Sequence, residues 1–247
     1  MGIKGCATGI ALTAVVAFLT ACHAPPPRPA PSPQAPAQAP APAASPAPPG
    51  PPAGGPTPTA NFRIDSARSE LRVYVYRAGP MAALGHNHVI ANRALEGWVR
   101  YAGALEGAAF ELQVPCAGFS VDEPVMRSAA GKDFGEAVDA EARRGTLDNM
   151  LGASVLDAAS HPTILVRSLE LTGTPPHLNA SVSIELAGHA SRHLVPFDLV
   201  ATSDLLHARG VLELKQSSLG LTPFSIFLGA LRVEDTMRLE FDLNAVR

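Results

Sequence analysis

The sequence predicts an all-β domain, an antiparallel barrel or sandwich of about eight strands. Apolar and polar residues alternate along most segments between Asn61 and Arg247, and a period of two is typical of a half-buried strand. The alternation is clearest over 178–186, where every second residue is apolar. Short turns containing glycine or proline separate the segments, as they do between hairpin-linked antiparallel strands.

The apolar faces of these strands are candidates for the walls of a cavity. A barrel of eight strands is just wide enough to hold side chains or one slender ligand. Small residues on the inward faces (Gly97, Ala180, Ala208 and Gly210) favour a cavity, although large residues opposite them can fill the same space. The predicted ligand-contacting residues are Val73, Val75, Phe110, Leu112, Ile164, Val166, Val182, Ile184, Phe197, Leu212 and Phe241.

The densest polar cluster, Gly85-His86-Asn87-His88, follows the strand that contains Val73 and Val75. Residues two apart in a strand leave the same face, so His86 and His88 are candidate ligands for one Zn²⁺ or Cu²⁺ ion. The alternative is a hydrogen-bonded polar corner at the barrel mouth, where both histidines contact a ligand head group. The sequence favours the polar corner, and we predict no tightly bound metal and no cofactor.

The region 134–156 is the one plausible helical insertion, and its polar, interrupted pattern is typical of a lid. We expect Gly145 to break the helix and Thr146 to cap a second short helix. The preceding stretch, 118–130, is expected to be irregular, and the last strand is expected over 231–244.

The N-terminal residues predict export to the bacterial cell envelope. Residues 1–21 have one basic residue, Lys4, followed by an apolar run, which is the pattern of a signal peptide. The run ends in Leu19-Thr20-Ala21-Cys22, which resembles the bacterial lipobox, so Cys22 is the predicted acylation site and the membrane anchor. An uncleaved N-terminal membrane anchor is the alternative. His23, rather than aspartate, follows the cysteine and points to the outer membrane, with the domain facing the periplasm.

The segment 22–60 is predicted to be a disordered spacer. It holds sixteen of the chain's 24 prolines and no apolar side chain larger than alanine after Cys22, so it can form no core. Proline favours the extended polyproline II conformation, with a reach on the order of 100 Å for this length. The chain therefore divides into a signal peptide (1–21), a lipidated linker (22–60) and one folded domain (61–247).

Several classes of function are not supported by composition or motifs. The chain has a net charge of −3 and no basic patch, which argues against a nucleic-acid partner. It contains no Gly-x-Ser-x-Gly elbow, Cys-x-x-Cys pair or glycine-rich phosphate loop, so we predict that it is not an enzyme. Cys116 is the one cysteine left in the folded domain, and we expect a buried thiol.

The folded domain resembles the YceI-like family, whose members are lipocalin-like periplasmic barrels that bind polyisoprenoids and related long amphiphiles. The resemblance rests on weak motifs in the right order over 62–245. They are Asp65-Ser66-Ala67-Arg68-Ser69, Gly85-His86-Asn87-His88, Met150-Leu151 with Val155-Leu156-Asp157, His161-Pro162-Thr163-Ile164, Leu186-Ala187-Gly188-His189, Gly220, and Gly229 through Asp235. Two positions depart from the family pattern: Arg68 replaces a histidine, and Val155-Leu156-Asp157 replaces Phe-Phe-Asp.

The resemblance implies an eight-stranded lipocalin-like barrel that binds or carries a polyisoprenoid, quinone or similar lipid near its membrane. An accessory or interaction protein with a filled barrel is the second hypothesis, and a metal-binding protein that uses His86 and His88 is the third. The ligand's identity and the oligomeric state are not predicted by the sequence.

Overall fold

The structure is a computed structural model that describes residues 61–247. The predicted signal peptide, the spacer and the acylation site at Cys22 lie outside the described residues. Within 61–247, no helix is both long enough and apolar enough to cross a membrane.

The described residues form fourteen strands and two α-helices. The strands are β1 Phe62–Ile64, β2 Glu70–Val75, β3 Arg77–Ala78, β4 His88–Asn92, β5 Glu96–Arg100, β6 Ala109–Pro115, β7 Phe119–Val121, β8 Thr163–Thr174, β9 His177–Leu186, β10 His189–Ala201, β11 Leu205–Lys215, β12 Ser225–Ile226, β13 Leu231–Val233 and β14 Thr236–Val246. The helices are α1 Pro124–Ala129 and α2 Ala140–Leu151.

Antiparallel pairing closes an eight-position barrel, which confirms the predicted fold class. Three positions are each shared by two consecutive short strands: β1 with β2, β4 with β5, and β6 with β7. The other five positions are β8, β9, β10, β11 and β14. Closure occurs at β1, where Arg63 pairs with Trp98 of β5 on one side and with Val246 of β14 on the other.

The predicted alternation of faces is clearest in β9, as expected. Leu178, Ala180 and Val182 are each at most 2% exposed, while the residues between them are more accessible. Because successive strand residues point to opposite faces, closing such strands into a barrel collects their apolar sides in one interior.

The last predicted strand, 231–244, is two strands, so that expectation was wrong. β13 pairs with β3 and β12 in a separate small sheet, whereas β14 pairs with β11 and β2 in the barrel. Asp235 lies at the break: its Oδ1 accepts a hydrogen bond from the Ser217 backbone N–H at 2.8 Å. This contact fixes the turn between the two strands, and residue-by-residue alternation does not reveal it.

The helical region also differs from the expectation. Residues 118–130 were predicted to be irregular, but they contain β7 and α1, with Pro124 in the first turn of the helix, where proline is favoured. Gly145 does not break a helix, because α2 runs unbroken from Ala140 to Leu151. Its N-cap is Asp139, which accepts a hydrogen bond from the Ala142 N–H at 2.8 Å.

Two glycines give a test of these backbone assignments. Gly97 has φ +149°, and a Cβ there would lie 2.1 Å from the Glu111 carbonyl oxygen. Gly145 has open space around it in a helix interior, where alanine is favoured. We expect Gly97→Ala to lower the free energy of unfolding by at least about 1–3 kcal/mol. The matched control, Gly145→Ala, should raise it by about 0.5–1 kcal/mol.

Chemical denaturation of the two variants measures both effects. If Gly145→Ala is destabilising, the helix does not run through residue 145. If Gly97→Ala is neutral, the close approach of β5 to β6 is wrong.

Candidate ligand-binding cavity

A cavity of about 310 Å³ lies inside the barrel, and its lining is almost wholly apolar. All eleven apolar residues predicted to contact a ligand line it: Val73, Val75, Phe110, Leu112, Ile164, Val166, Val182, Ile184, Phe197, Leu212 and Phe241. They come from the barrel strands, so the walls of the cavity follow from the inward faces of the strands alone. Whether these residues contact a ligand stays a prediction.

Two of the four small inward residues do not provide empty space. A Cβ at Gly210 would lie 2.5 Å from Cζ of Phe241, so the missing side chain accommodates the Phe241 ring. At Gly97 the space is taken by the backbone of Glu111. Ala180 and Ala208 do line the cavity. The volume of the cavity therefore depends on where the large side chains extend across the barrel, and not on the small residues alone.

One end of the cavity is covered by residues of α2, of the segment just after α2 and of the loop after β11. Met150 of α2, together with Val155 and Leu156 just beyond it, lines the cavity, as do Leu219 and Leu221. Leu156 and Leu219 belong to a buried cluster at this end, together with Cys116, Leu186, Leu214 and Met237, and the other three residues pack against it. The predicted lid role thus agrees with the position of α2.

The opposite end is lined by the β5–β6 connection. Tyr101, Leu105 and Ala108 line the cavity here, and so does Arg100, whose Nε donates a hydrogen bond to the Gly107 carbonyl at 2.6 Å. Asn61 is fixed at this end, since its side chain donates to and accepts from the Tyr101 backbone. The predicted linker therefore joins the domain at the end opposite α2.

Two residues of the predicted polar corner, Asn87 and His88, have side-chain hydrogen bonds, and the corner lies outside the cavity. Neither His86 nor His88 lines the cavity. His88 opens β4, and its Nδ1 lies 2.6 Å from Oδ2 of Asp122. The two imidazole centroids are 6.4 Å apart. A contact between these histidines and a ligand head group stays a prediction.

Asp122 is the centre of a hydrogen-bonded cluster and is fully buried. Its Oδ1 accepts hydrogen bonds from the Val89 N–H at 2.9 Å and from Arg127 Nη1 at 2.7 Å. Burial alone raises the pKa of Asp122, but the bonds from His88, Val89 and Arg127 outweigh it, so the pKa lies below its ordinary value of 3.8. The carboxylate is therefore charged at neutral pH and holds α1 against β4.

Arg127 extends the cluster to two further segments. It donates to the Asn87 carbonyl at 2.7 Å and, through Nε and Nη2, to the Glu136 carbonyl. One buried guanidinium thus fixes the polar corner, α1 and the segment before α2. Among residues 61–247, no three histidine, cysteine or carboxylate side chains are grouped closely enough to hold a metal ion.

Cys116 is buried, as expected. Burial raises the pKa of its thiol, so the thiolate needed for nucleophilic chemistry is disfavoured.

Sequence reasoning missed the residues that cover the α2 end, the carboxylate partner of His88, Asp122, and the arginine that binds it, Arg127. Leu219 and Leu221 lie on no alternating strand, and the uncharged composition of 216–231 was the available signal. Asp122 adopts φ 52°, a left-handed conformation that aspartate tolerates better than most residues. The sequence does not show that it faces His88, 34 positions earlier.

A closed antiparallel barrel around an apolar cavity, with one end covered by a helix, defines the class of lipocalin-like barrels. No family model matches the chain, and no curated protein matches it in sequence. The class therefore rests on the structure and on comparison with solved structures.

Solved structures with the same fold were found. BcnA of Burkholderia cenocepacia aligns with 16% identity and a TM-score of 0.54, over 73% of this chain and 98% of its own. A polyisoprenoid-binding domain from Saccharophagus degradans, implicated in plant cell wall breakdown, aligns with 12% identity and a TM-score of 0.52, over 76% and 98%. At these identities the likeness establishes the fold, which is the lipocalin-like barrel that the motifs implied.

The buried cluster gives a prediction about stability and pH. Asp122→Asn leaves Arg127 buried without its carboxylate, so we expect the free energy of unfolding at pH 7 to fall by about 3–5 kcal/mol. In the wild type the folded-state pKa of Asp122 is lowered. Its stabilisation is therefore complete above the ordinary pKa and is lost as the pH falls through the lowered one. Denaturant unfolding at neutral and acid pH measures the loss of stability in Asp122→Asn and the dependence of wild-type stability on pH.

The matched control is Asp198→Asn, which removes the carboxylate of an exposed pair with His177 and should cost at most about 1 kcal/mol. Equal effects of the two substitutions, or an unchanged acid dependence in Asp122→Asn, would contradict the assigned role of Asp122.

Proposed function

We propose that this chain is a YceI-like protein of the cell envelope that binds one long apolar molecule inside its barrel. The cavity is the observation that carries the proposal: about 310 Å³ lined by apolar side chains, at the lower end of the roughly 300–1,000 Å³ typical of ligand sites. A filled barrel, the second hypothesis, does not account for this volume. The name of the Saccharophagus degradans domain supports a polyisoprenoid as the ligand class, with quinones as close chemical alternatives.

Affinity in this proposal comes from burial of the ligand chain. Each methylene removed from water contributes about 0.8 kcal/mol, and the strand residues around the cavity offer few hydrogen bonds to a polar ligand. The lining selects for length and apolarity rather than for a particular head group. The proposal is therefore one of binding or carrying, without a chemical step.

The proposed protein is tethered to its lipid source. Acylation of Cys22 would hold the domain at the membrane, and the proline-rich segment 23–60 would act as the spacer. Localisation to the outer membrane, facing the periplasm, is part of the proposal and follows from the residue after Cys22.

The cavity is tested by filling it. Val182 is 1% exposed and lines the cavity, so Val182→Trp should strongly reduce the amount of co-purified lipid while the barrel stays folded. The control, Val200→Trp, places the same bulk at an exposed position of β10 and should leave lipid content unchanged. Organic extraction and mass spectrometry of the full-length protein give the lipid content, and circular dichroism reports the fold.

In a solid core, Val182→Trp would instead destabilise the domain by about 1–3 kcal/mol. A wild-type protein without lipid, combined with unfolding of Val182→Trp, would exclude the carrier function.

The tether is tested separately. Cys22→Ser should abolish acylation and leave the uncleaved precursor, because the acylated residue of the lipobox is removed. Metabolic labelling with a fatty acid and gel mobility measure this. Normal maturation and lipid labelling of the variant would contradict the lipoprotein assignment without affecting the cavity.

A further inference from the structure

The segment 216–231 contains no charged residue across sixteen positions and runs from the cavity to the surface. Leu219 and Leu221 line the cavity. Farther along, Phe224, Ile226, Phe227 and Leu228 are exposed, and these four residues are called here the apolar tip. Phe227 is 65% exposed and Leu228 is fully exposed, so the tip places large apolar surface in water.

The backbone holds the tip in this position at a cost. Phe227 and Leu228 have φ values of 51° and 55°, in the left-handed region that large non-glycine residues avoid. The base of the tip is fixed, since the Met81 N–H donates to the Ala230 carbonyl at 2.9 Å. A Cβ at Gly79 would lie 2.5 Å from the same oxygen. Strained backbone that exposes apolar side chains indicates a function for that exposure.

The surroundings of the tip add one more apolar side chain and one cation. Leu84 is 68% exposed, on a short 3₁₀ helix that packs beside β13. Arg232 of β13 is exposed and pairs in register with Ser225 of β12, and its Nη1 donates to the Gly229 carbonyl at 3.3 Å. Among residues 61–247, no carboxylate forms an ion pair with Arg232.

We propose that the apolar tip, with Leu84 and Arg232, is a docking surface for a lipid bilayer. Phe227 and Leu228 enter the boundary between head groups and acyl chains, and Arg232 is attracted to the net negative charge of anionic head groups. Phenylalanine and leucine beside a basic residue are typical of proteins that lie in this boundary. Five exposed apolar side chains are far fewer than the roughly 20–30 residues that each side of a protein interface contributes.

The docking surface goes beyond the proposed function, because it requires neither a filled cavity nor an acylated Cys22. It lies at the α2 end of the barrel, since β13 leads into the start of β14. The β5–β6 loop lies at the other end, and the two ends can be compared within one protein.

Tryptophan quenching in vesicles tests the proposal with the full-length protein. Trp98 is the chain's only tryptophan, so Leu228→Trp in a Trp98→Phe background gives a single reporter at the tip. The control reporter is Glu106→Trp in the same background, at an exposed position of the β5–β6 loop. In vesicles with brominated acyl chains, we expect strong quenching and a blue shift at 228 and neither at 106.

The contribution of Arg232 is tested in the same assay. Arg232→Gln should weaken quenching at 228 in vesicles that contain phosphatidylglycerol and have little effect in pure phosphatidylcholine, since the charge acts on anionic lipid. Equal quenching at 228 and 106, or none at 228, would overturn the docking surface. A blue shift at 228 without lipid, together with a dimer in sedimentation, would assign the tip to self-association and overturn it as well.

The two proposals fail in distinguishable ways. If quenching at 228 occurs but no lipid is extracted from the wild type, the docking surface stands and the carrier function does not. If lipid is extracted and 228 is not quenched, the cavity stands and the tip does not dock.

Discussion

Closure of the barrel is the constraint on which the rest of the structure depends. The short strand β1 supplies it by pairing with β5 and β14 at once through Arg63. In an open sheet, one apolar face would lie against solvent or need a second layer. Closure instead turns the inward-facing residues of all eight strand positions toward a common axis. The enclosed apolar interior follows directly from this pairing.

The interior remains partly empty because the barrel and its cover do not fill it completely. Phe241 crosses over Gly210 and occupies part of the width, while Met150 and Leu156 cover one end. The space left between them, about 310 Å³, is bounded by strands that cannot collapse inward without breaking backbone hydrogen bonds. A rigid apolar cavity of this kind suits a slender ligand.

The buried charged cluster does not line the cavity. His88, Asp122 and Arg127 form their buried cluster where β4 begins, and there it fastens α1 and the segment before α2. The buried charges of Asp122 and Arg127 are tolerated there because each of these two side chains makes several hydrogen bonds. The cluster therefore stabilises the segments packed at this end of β4, and none of its three residues lines the cavity. The apolar tip around Leu228 carries exposed apolar side chains outside the barrel wall.

The sequence by itself determined the strand faces, because a period of two assigns each residue to one side. The eleven wall residues, from Val73 to Phe241, and the all-β class were predictable for that reason. Contacts between distant segments were decided only by the tertiary structure. Asp122 meets His88, Gly210 admits Phe241, and Asp235 separates β13 from β14 through pairings that no local period encodes. The residues that cover the two ends of the cavity were also decided only by the tertiary structure, because helix and loop residues reach these ends only after the barrel has closed.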